Sequence, residues 1–558
     1  MSEMLKSDST GFSANLHRKA ARKIVTNPLW PGNWTKSALD LGRFGWSPPP
    51  ILFANGSPER AKEIYAGRFD LAGSSVETGE HSPFTLPPPS VEWQRALHSF
   101  TWLDDLTAGN HDLARANARA LVGEWIEFYG TKSEGDAFEP ALMAKRILAW
   151  LRNGALLSPS PGSGADPLIT RHLERQINLL RTITPYLGNL LHRLKAHSAL
   201  ATSVVCFDCP DKPRQQILNA LDEETQEQFQ PDGSHISRNP QVLFQALIDL
   251  LPLRAMLSKT GYAGAEKLAG RIDRMMGHLR LMRHRGGEIA RFNGAGTINS
   301  ALLDAVLEHD TTTGNYSLSS AHAGFERLRE GQTEILIDAG SPVCRPGLPQ
   351  PFAGSLAIEI CIGKQPFVVN CGTGPQDRPE LGQMLRSSAA HSTATIDDHS
   401  SIVWSGRGGK NGTNQRPSRP LVTRSRHSPF HLTARHDGYV DRFGYELVRE
   451  LQLTDDGRTI QGSDRFLSTA ESNETSHLVL IRFHLHPDVE ADWQPGQPKV
   501  QLSSPSHHAW TFICIDGAVE VEPSMYFADV SGPKTTNQIV VRAAVNESAE
   551  IRWVFQQS

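Results

Sequence analysis

Glu334-Ile335-Leu336-Ile337-Asp338, followed by Ser355 to Ile362 and Phe367-Val368-Val369, marks the point where the hydrophobic period of the chain changes. Short apolar runs rich in Ile and Val and bounded by turn residues read as strands. Further along, Tyr445 to Leu453, Leu478 to Leu485, Trp510 to Ile515, Ala518 to Val521, Gln538 to Ala543 and Ile551 to Phe555 repeat the pattern, with turns at Asp437-Gly438 and Asp455-Asp456-Gly457. This spacing suits two stacked antiparallel sheets. The polar stretch Ser405 to Ser428, rich in Gly, Arg, Ser and Asn, reads as a mobile loop.

Before about Thr311 the period is helical. Leu173, Ile177, Leu180, Leu187, Leu190, Leu191 and Leu194 recur at three and four residue intervals, as do Val242, Leu243, Ala246, Leu247, Leu250 and Leu251. Asn239-Pro240 just before the second series offers a capping amide and a proline for the first turn. Pro and Gly clusters at Ser158 to Gly164, Cys209 to Pro213 and Gly286 to Gly296 punctuate the helices. About eight or nine helices in series without strands between them predict an α-helical array or toroid. The expected architecture is therefore an α+β chain with an N-terminal (α/α) toroid over 91–310 and a C-terminal antiparallel β-sandwich over 311–558. Residues 1–90, with Trp30-Pro31-Gly32-Asn33-Trp34 and proline runs at Pro48 to Pro50 and Pro87 to Pro89, read as an extended arm.

A length of 558 residues exceeds the roughly 250–300 at which single cores stop growing, so two or more domains are expected. With 39 % hydrophobic and 21 % charged residues the composition is that of a soluble globular protein. The formal net charge of -4 argues against a surface built throughout to hold nucleic acid, so any anion site must be local. Six cysteines in so long a chain give no disulfide framework, and reduced thiols are expected. Met1 to Thr26 lacks the apolar run of an export signal, and no uncharged apolar stretch reaches the ~18 residues of a membrane span, so a cytoplasmic location is expected. Gly294-x-Gly296 follows no convincing strand, which leaves no nucleotide fingerprint.

Three groups of residues narrow the reading further. Phe352 to Glu359, Phe367 to Gly372 and Leu385 to Thr393 resemble the central signature of the heparinase II/III-like domain; Gly188-Asn189-Leu190-Leu191 with Lys195-Ala196 resembles that family's Asn-His-Leu-Leu helix. Pro231-Asp232-Gly233-Ser234-His235-Ile236-Ser237-Arg238 resembles its Asp-Gly-x-His loop. With His436-Asp437-Gly438-Tyr439 and Arg482 to Pro487, the likeness runs from about residue 90 to the end.

Such a resemblance implies a carbon-oxygen lyase acting on an acidic polysaccharide or oligosaccharide by β-elimination. A C5 proton beside a sugar carboxylate is barely acidic, so the carboxylate must be neutralised while a base and an acid move protons. The resemblance assigns catalysis to Asn189, His235 and His391, and substrate binding to Arg238, His436 and Tyr439. Each has a plainer alternative: Asn189 as a helix cap, His235 as a loop histidine bonded to its own backbone, Arg238 as a surface charge. The family's tyrosine falls on Val242, its sandwich histidines on Gln350 and Phe352, and its metal-ligand Asp on Asn370, leaving His391 alone of the usual zinc ligands. No cofactor is expected, because one imidazole does not make a zinc site; zinc is the alternative, with its usual ligands mostly absent. The family also makes a periplasmic location the alternative, and the losses leave a second reading open, a catalytically degenerate glycan-binding or assembly protein. Tyr445 is a further candidate base, and Asp232 with Glu288 would be the carboxylates of a hydrolase. Cys206-Phe207-Asp208-Cys209 and the alternating His484 and His486 read more simply as structural, and the basic run His278 to Arg285 as a solvated helix end.

Overall fold

The computed structural model describes residue 39, residues 47–50, residue 53 and residues 56–558, except 110–111, 161–165, 208, 260, 263, 311–316, 375–378, 403, 405–419, 470–474, 507–508 and 530–531. Most of the stretch expected as a mobile loop, and most of the expected arm, lie outside the described residues. The chain divides into two compact units that interleave in sequence: Met1–Gln228, Gln245–Ile272 and Pro346–Leu348 form one, and Phe229–Phe244, Asp273–Arg345 and Pro349–Ser558 the other.

The first unit is helical. Helices α1 (Pro58–Tyr65), α2 (Val91–Ser99), α3 (Leu103–Gly109), α4 (Asp112–Tyr129), α5 (Pro140–Arg152), α6 (Gly154–Leu157), α7 (Pro167–Ile183), α8 (Leu190–Cys206) and α9 (Asp211–Gln228) follow one another. They are interrupted by one small hairpin, β1 (Arg68–Leu71) with β2 (Ser74–Glu77). Part of the expected arm is thus folded. Starts are set by local chemistry: Asp166 and Glu139 accept from the first free amides of α7 and α5, each ahead of a proline.

Large rings fill the core. Trp93, Phe100, Trp125 and Trp150 are buried, and the Trp125 ring lies 5.7 Å from Trp150 at near right angles. Arg146 is sealed among them with its charge held by neutral groups: Nε donates to Gln176 Oε1 at 2.6 Å, Nη1 to the carbonyls of His98 and Ala137, and the guanidinium covers Trp125 at 4.3 Å. Burial pulls its pKa down to about 9.

Three more helices, α10 (Pro240–Leu257), α11 (Ala265–Leu281) and α12 (Ser300–Glu308), precede the strands. As expected, Asn239 caps α10, its Oδ1 accepting from Gln241 and Val242. By length and composition α10 is apolar enough to cross a membrane, with a mean hydropathy of 1.2. It carries Asp249 and Arg254, however, and buries Leu243, Leu247, Leu250 and Leu251 as a core helix does.

The second unit contains two eight-stranded antiparallel sheets, in strand orders β13-β14-β15-β18-β11-β10-β9-β8 and β16-β17-β12-β6-β5-β4-β3, with β7 also paired to β12. The first comprises β8 (Val422–Ser428), β9 (His431–Tyr439), β10 (Tyr445–Leu453), β11 (Thr459–Ser468), β13 (Glu490–Asp492), β14 (Lys499–Ser503), β15 (Ala509–Cys514) and β18 (Ala549–Gln557). The second comprises β3 (Phe325–Glu330), β4 (Thr333–Asp338), β5 (Ile358–Ile362), β6 (Gln365–Val369), β7 (Ala394–Ile396), β12 (His477–Leu485), β16 (Ala518–Tyr526) and β17 (Lys534–Val545). Ile335, Ile337, Ile358 and Ile360 of one sheet share a core with Leu447, Ile460, Trp510 and Phe555 of the other. Every residue of β4 and β5 is buried, so Glu334, Asp338 and Glu359 must find partners inside the protein.

Candidate functional site

Asn189 is the N-cap of α8: its Oδ1 accepts from the His192 amide at 3.1 Å, while the residue as a whole is exposed. One turn on, His192 Nδ1 meets Glu139 at 3.0 Å and Lys195 pairs with Asp249. Although burial opposes its charge, the His192 contact and two backbone donors hold Glu139 down to about 2.

In the second unit, residues 229–238 form a tight loop. Phe229 bridges His235, Gln230 N donates to Ser234 O at 2.8 Å, and Gly233 turns with φ 83. A Cβ on Gly233 would lie 2.0 Å from the Arg274 carbonyl oxygen, so only glycine fits. Asp232 holds the loop to the segment before β3: its Oδ2 accepts from Ser320 Oγ at 2.6 Å and the His322 amide at 2.8 Å, and its Oδ1 from Ser234 Oγ at 2.6 Å. Burial works against this carboxylate, but the hydroxyl and amide donors hold it far below the usual range.

His235 and Arg238 do not open onto a groove. His235 is 1 % exposed, its Nδ1 accepts from the Ser237 amide at 3.0 Å, and burial pulls its pKa down to about 3. Arg238, with a left-handed backbone (φ 58), donates through Nε to the Ala323 carbonyl at 2.7 Å and through Nη2 to Asp338, whose other oxygen takes Asn293 Nδ2 at 2.9 Å. The physical reason is the buried carboxylate at the end of β4, which needs a cation beside it.

The residues expected on the sandwich face are also enclosed. His391 is 3 % exposed and donates through Nδ1 to the Ser387 carbonyl at 2.7 Å. His436, 1 % exposed, accepts from the Gly438 amide at 3.1 Å, and burial lowers it to about 3. Tyr439 donates to the Ala394 carbonyl at 2.7 Å, and burial pushes its hydroxyl pKa upward. Val242 lies in the first turn of α10, and Asn370 bridges Glu359 (3.0 Å) and the Ser392 amide (2.9 Å). Among the described residues, no group of three or more His, Cys, Asp or Glu side chains is arranged to hold a metal ion. Of the candidate hydrolase carboxylates, Asp232 is engaged by the donors above, while Glu288 pairs with Arg291 at 3.2 Å.

The sequence reading did not single out one buried polar cluster of this unit. His284 lies between two buried carboxylates, Nδ1 to Glu334 at 3.0 Å and Nε2 to Glu359 at 2.8 Å. Burial disfavours its charge, but the two carboxylates outweigh it and raise the imidazole to about 9, while Glu334 is held near 2 against burial by His284 and Arg327. A second cluster joins His484 to Ser524 Oγ at 2.8 Å, the Ala389 carbonyl at 3.0 Å and Cys371 Sγ at 3.5 Å. Burial raises that thiol to about 12, which leaves it protonated and inert. All six cysteines are free.

Comparison with known proteins follows the same outline. The chain is 29 % identical over 512 residues to FtsZ-localized protein C of Caulobacter vibrioides, covering 89 % of this chain and 87 % of that one. Among solved structures, heparinase III superposes with a TM-score of 0.69 at 13 % identity, covering 100 % of this chain and 90 % of its own. A mutant of the heparan sulfate lyase HepC from Pedobacter heparinus gives 0.61 at 14 % identity over 99 % and 88 %. These likenesses show the fold, a helical toroid followed by an antiparallel sandwich. Residues 312–554 match the model of the heparinase II/III-like C-terminal domain, and this part of the chain is a domain of that kind.

Proposed function

We propose that this chain uses a polysaccharide-lyase fold to bind an acidic glycan without cleaving it, as a binding or assembly protein. The observation that carries this reading is the enclosure of His235, His391, His436 and Tyr439, each 3 % exposed or less. A general base must come within hydrogen-bond reach of the proton it removes. An imidazole lowered to about 3 and enclosed, as at His235 and His436, is a poor proton acceptor from a sugar. Val242 in place of a tyrosine points the same way. So does the likeness to FtsZ-localized protein C, whose name records a location rather than a reaction.

The test is to titrate purified protein with glucuronate- and iduronate-containing polysaccharides and follow heat of binding and ultraviolet absorbance together. Saturable heat with no rise from unsaturated ends is expected; new chain ends would overturn the reading. The second reading, β-elimination by a relocated base, is favoured by one observation. Tyr186 and His192, on either side of Asn189 in sequence, are both solvent-reaching, at 39 % for Tyr186 and 38 % for the His192 side chain. Under that reading Tyr186→Phe abolishes product formation while His235→Ala does so only through loss of folding.

A further inference from the structure

In the helical unit, consecutive residues of α5 have opposite fates. Arg146 turns into the aromatic core, whereas Lys145 is exposed. Lys145 nevertheless lies close to charged side chains from three neighbouring helices: Lys195 of α8, Asp249 of α10 and Arg95 of α2 act on it, together with Glu139 at the cap of its own helix.

Both carboxylates of this cluster are already taken. Glu139 receives His192 Nδ1 at 3.0 Å, two backbone amides of α5 and, at 3.9 Å, Arg95; Asp249 is paired with Lys195. Among the described residues Lys145 itself has neither a hydrogen bond nor an ion pair. Three cations, Arg95, Lys145 and Lys195, thus face two carboxylates, and Lys145 is the one of the three without a carboxylate partner. Burial first, and then Lys195, lower the Lys145 pKa although the residue reaches solvent. An anion meeting the ammonium would offset the repulsion from Lys195.

We propose that Lys145, flanked by Lys195, Arg95 and His192, receives one carboxylate or sulfate group of the acidic glycan. The assignment rests on the glycan-binding reading above and adds the group that anchors the ligand. An ammonium with three free donors suits a single-point anion contact, and Lys195 and Arg95, both held by carboxylates, set the positive field around it.

The full chain is titrated by calorimetry with inorganic sulfate, with a hyaluronan oligosaccharide bearing carboxylates only, and with a heparan sulfate oligosaccharide. Lys145→Ala is expected to weaken the oligosaccharides roughly tenfold, the scale of one charge-assisted hydrogen bond, and Lys145→Arg to retain most of the affinity. Circular dichroism confirms that both variants fold. Hyaluronan binding lost with Lys145→Ala assigns the site to a carboxylate; loss confined to sulfate and heparan sulfate assigns it to a sulfate. Oligosaccharide binding that survives Lys145→Ala overturns the assignment while leaving the glycan reading intact. Sulfate binding that depends on Lys145 without any oligosaccharide binding overturns the glycan reading and shows an anion site of another use. No binding of any probe overturns both.

Discussion

In the helical unit Lys145, His192 and Lys195 stand at or near solvent, whereas in the sandwich unit His284, Arg238 and Arg449 are enclosed, each against a carboxylate that is itself buried. A partly solvated charge costs little to remove and is free to meet a ligand; an enclosed one is expensive to unpair and has no free donor to offer. The difference separates charges that a ligand can reach from charges that hold the fold together.

The largest break of the comparison is His284→Ala. It leaves Glu359 buried without the imidazolium beside it and Glu334 with Arg327 alone, and about 3–5 kcal/mol of stability should be lost in denaturant unfolding. Lys145→Ala, in the same assay, should stay within about 0.5 kcal/mol; equal losses would end the distinction between the units. Next comes Asp232→Asn, which turns one of the two oxygens accepting from Ser234, Ser320 and His322 into a donor and should cost about 1–3 kcal/mol.

The pH dependence sharpens the contrast. His284 gains its proton more readily folded than unfolded, so its contribution is fully present below its ordinary value of 6.5 and disappears as pH rises through about 9. Glu334 behaves oppositely: its contribution is present above 4.5 and fades as pH falls toward about 2. Unfolding midpoints of the wild type should therefore fall between neutral and alkaline pH, and those of His284→Gln should fall less over the same interval. The smallest effect is Asn189→Ala, where the loss of one helix cap should lower stability by about 1 kcal/mol. If Asn189 instead contacts the glycan, affinity falls more than folding does.

Much of the fold was legible because it is written in period. The three- and four-residue spacing from Leu173 to Leu194 and the apolar runs from Glu334 onward correspond to helix and strand as read. Asn239-Pro240 also opened its helix as local chemistry dictates. The site was less legible because resemblance gives a residue its place in the chain without its exposure. The motifs around His235 and Asn189 resemble those of the family in sequence, yet one residue bonds its own loop and the other caps a helix, the plainer alternatives for each.

What sequence could have shown is the His284 clamp. Glu334 and Glu359 sit in strands that are, apart from Thr333 and Asp338, made of Ile, Leu and Cys, and an acid in a run buried on both faces requires a buried cation. The basic run His278 to Arg285 was the nearest supplier, but read as a solvated helix end it concealed the partner. The interleaving of the two units was out of reach, since contacts between segments such as Phe229–Phe244 and Asp273–Arg345 leave no periodic trace.

Arg449 links the two sheets by more than apolar packing. Its guanidinium grips Asp464 on the neighbouring strand at 2.7 and 3.0 Å and also donates to the carbonyls of Leu356 and Ser392, which lie beside the facing sheet. Apolar layers alone would tolerate a small shear of one sheet over the other, but a fork engaged at four fixed oxygens does not. The amides around Leu356 and Ser392 should consequently exchange their hydrogens only when the whole sandwich opens, making them sentinels of global rather than local unfolding.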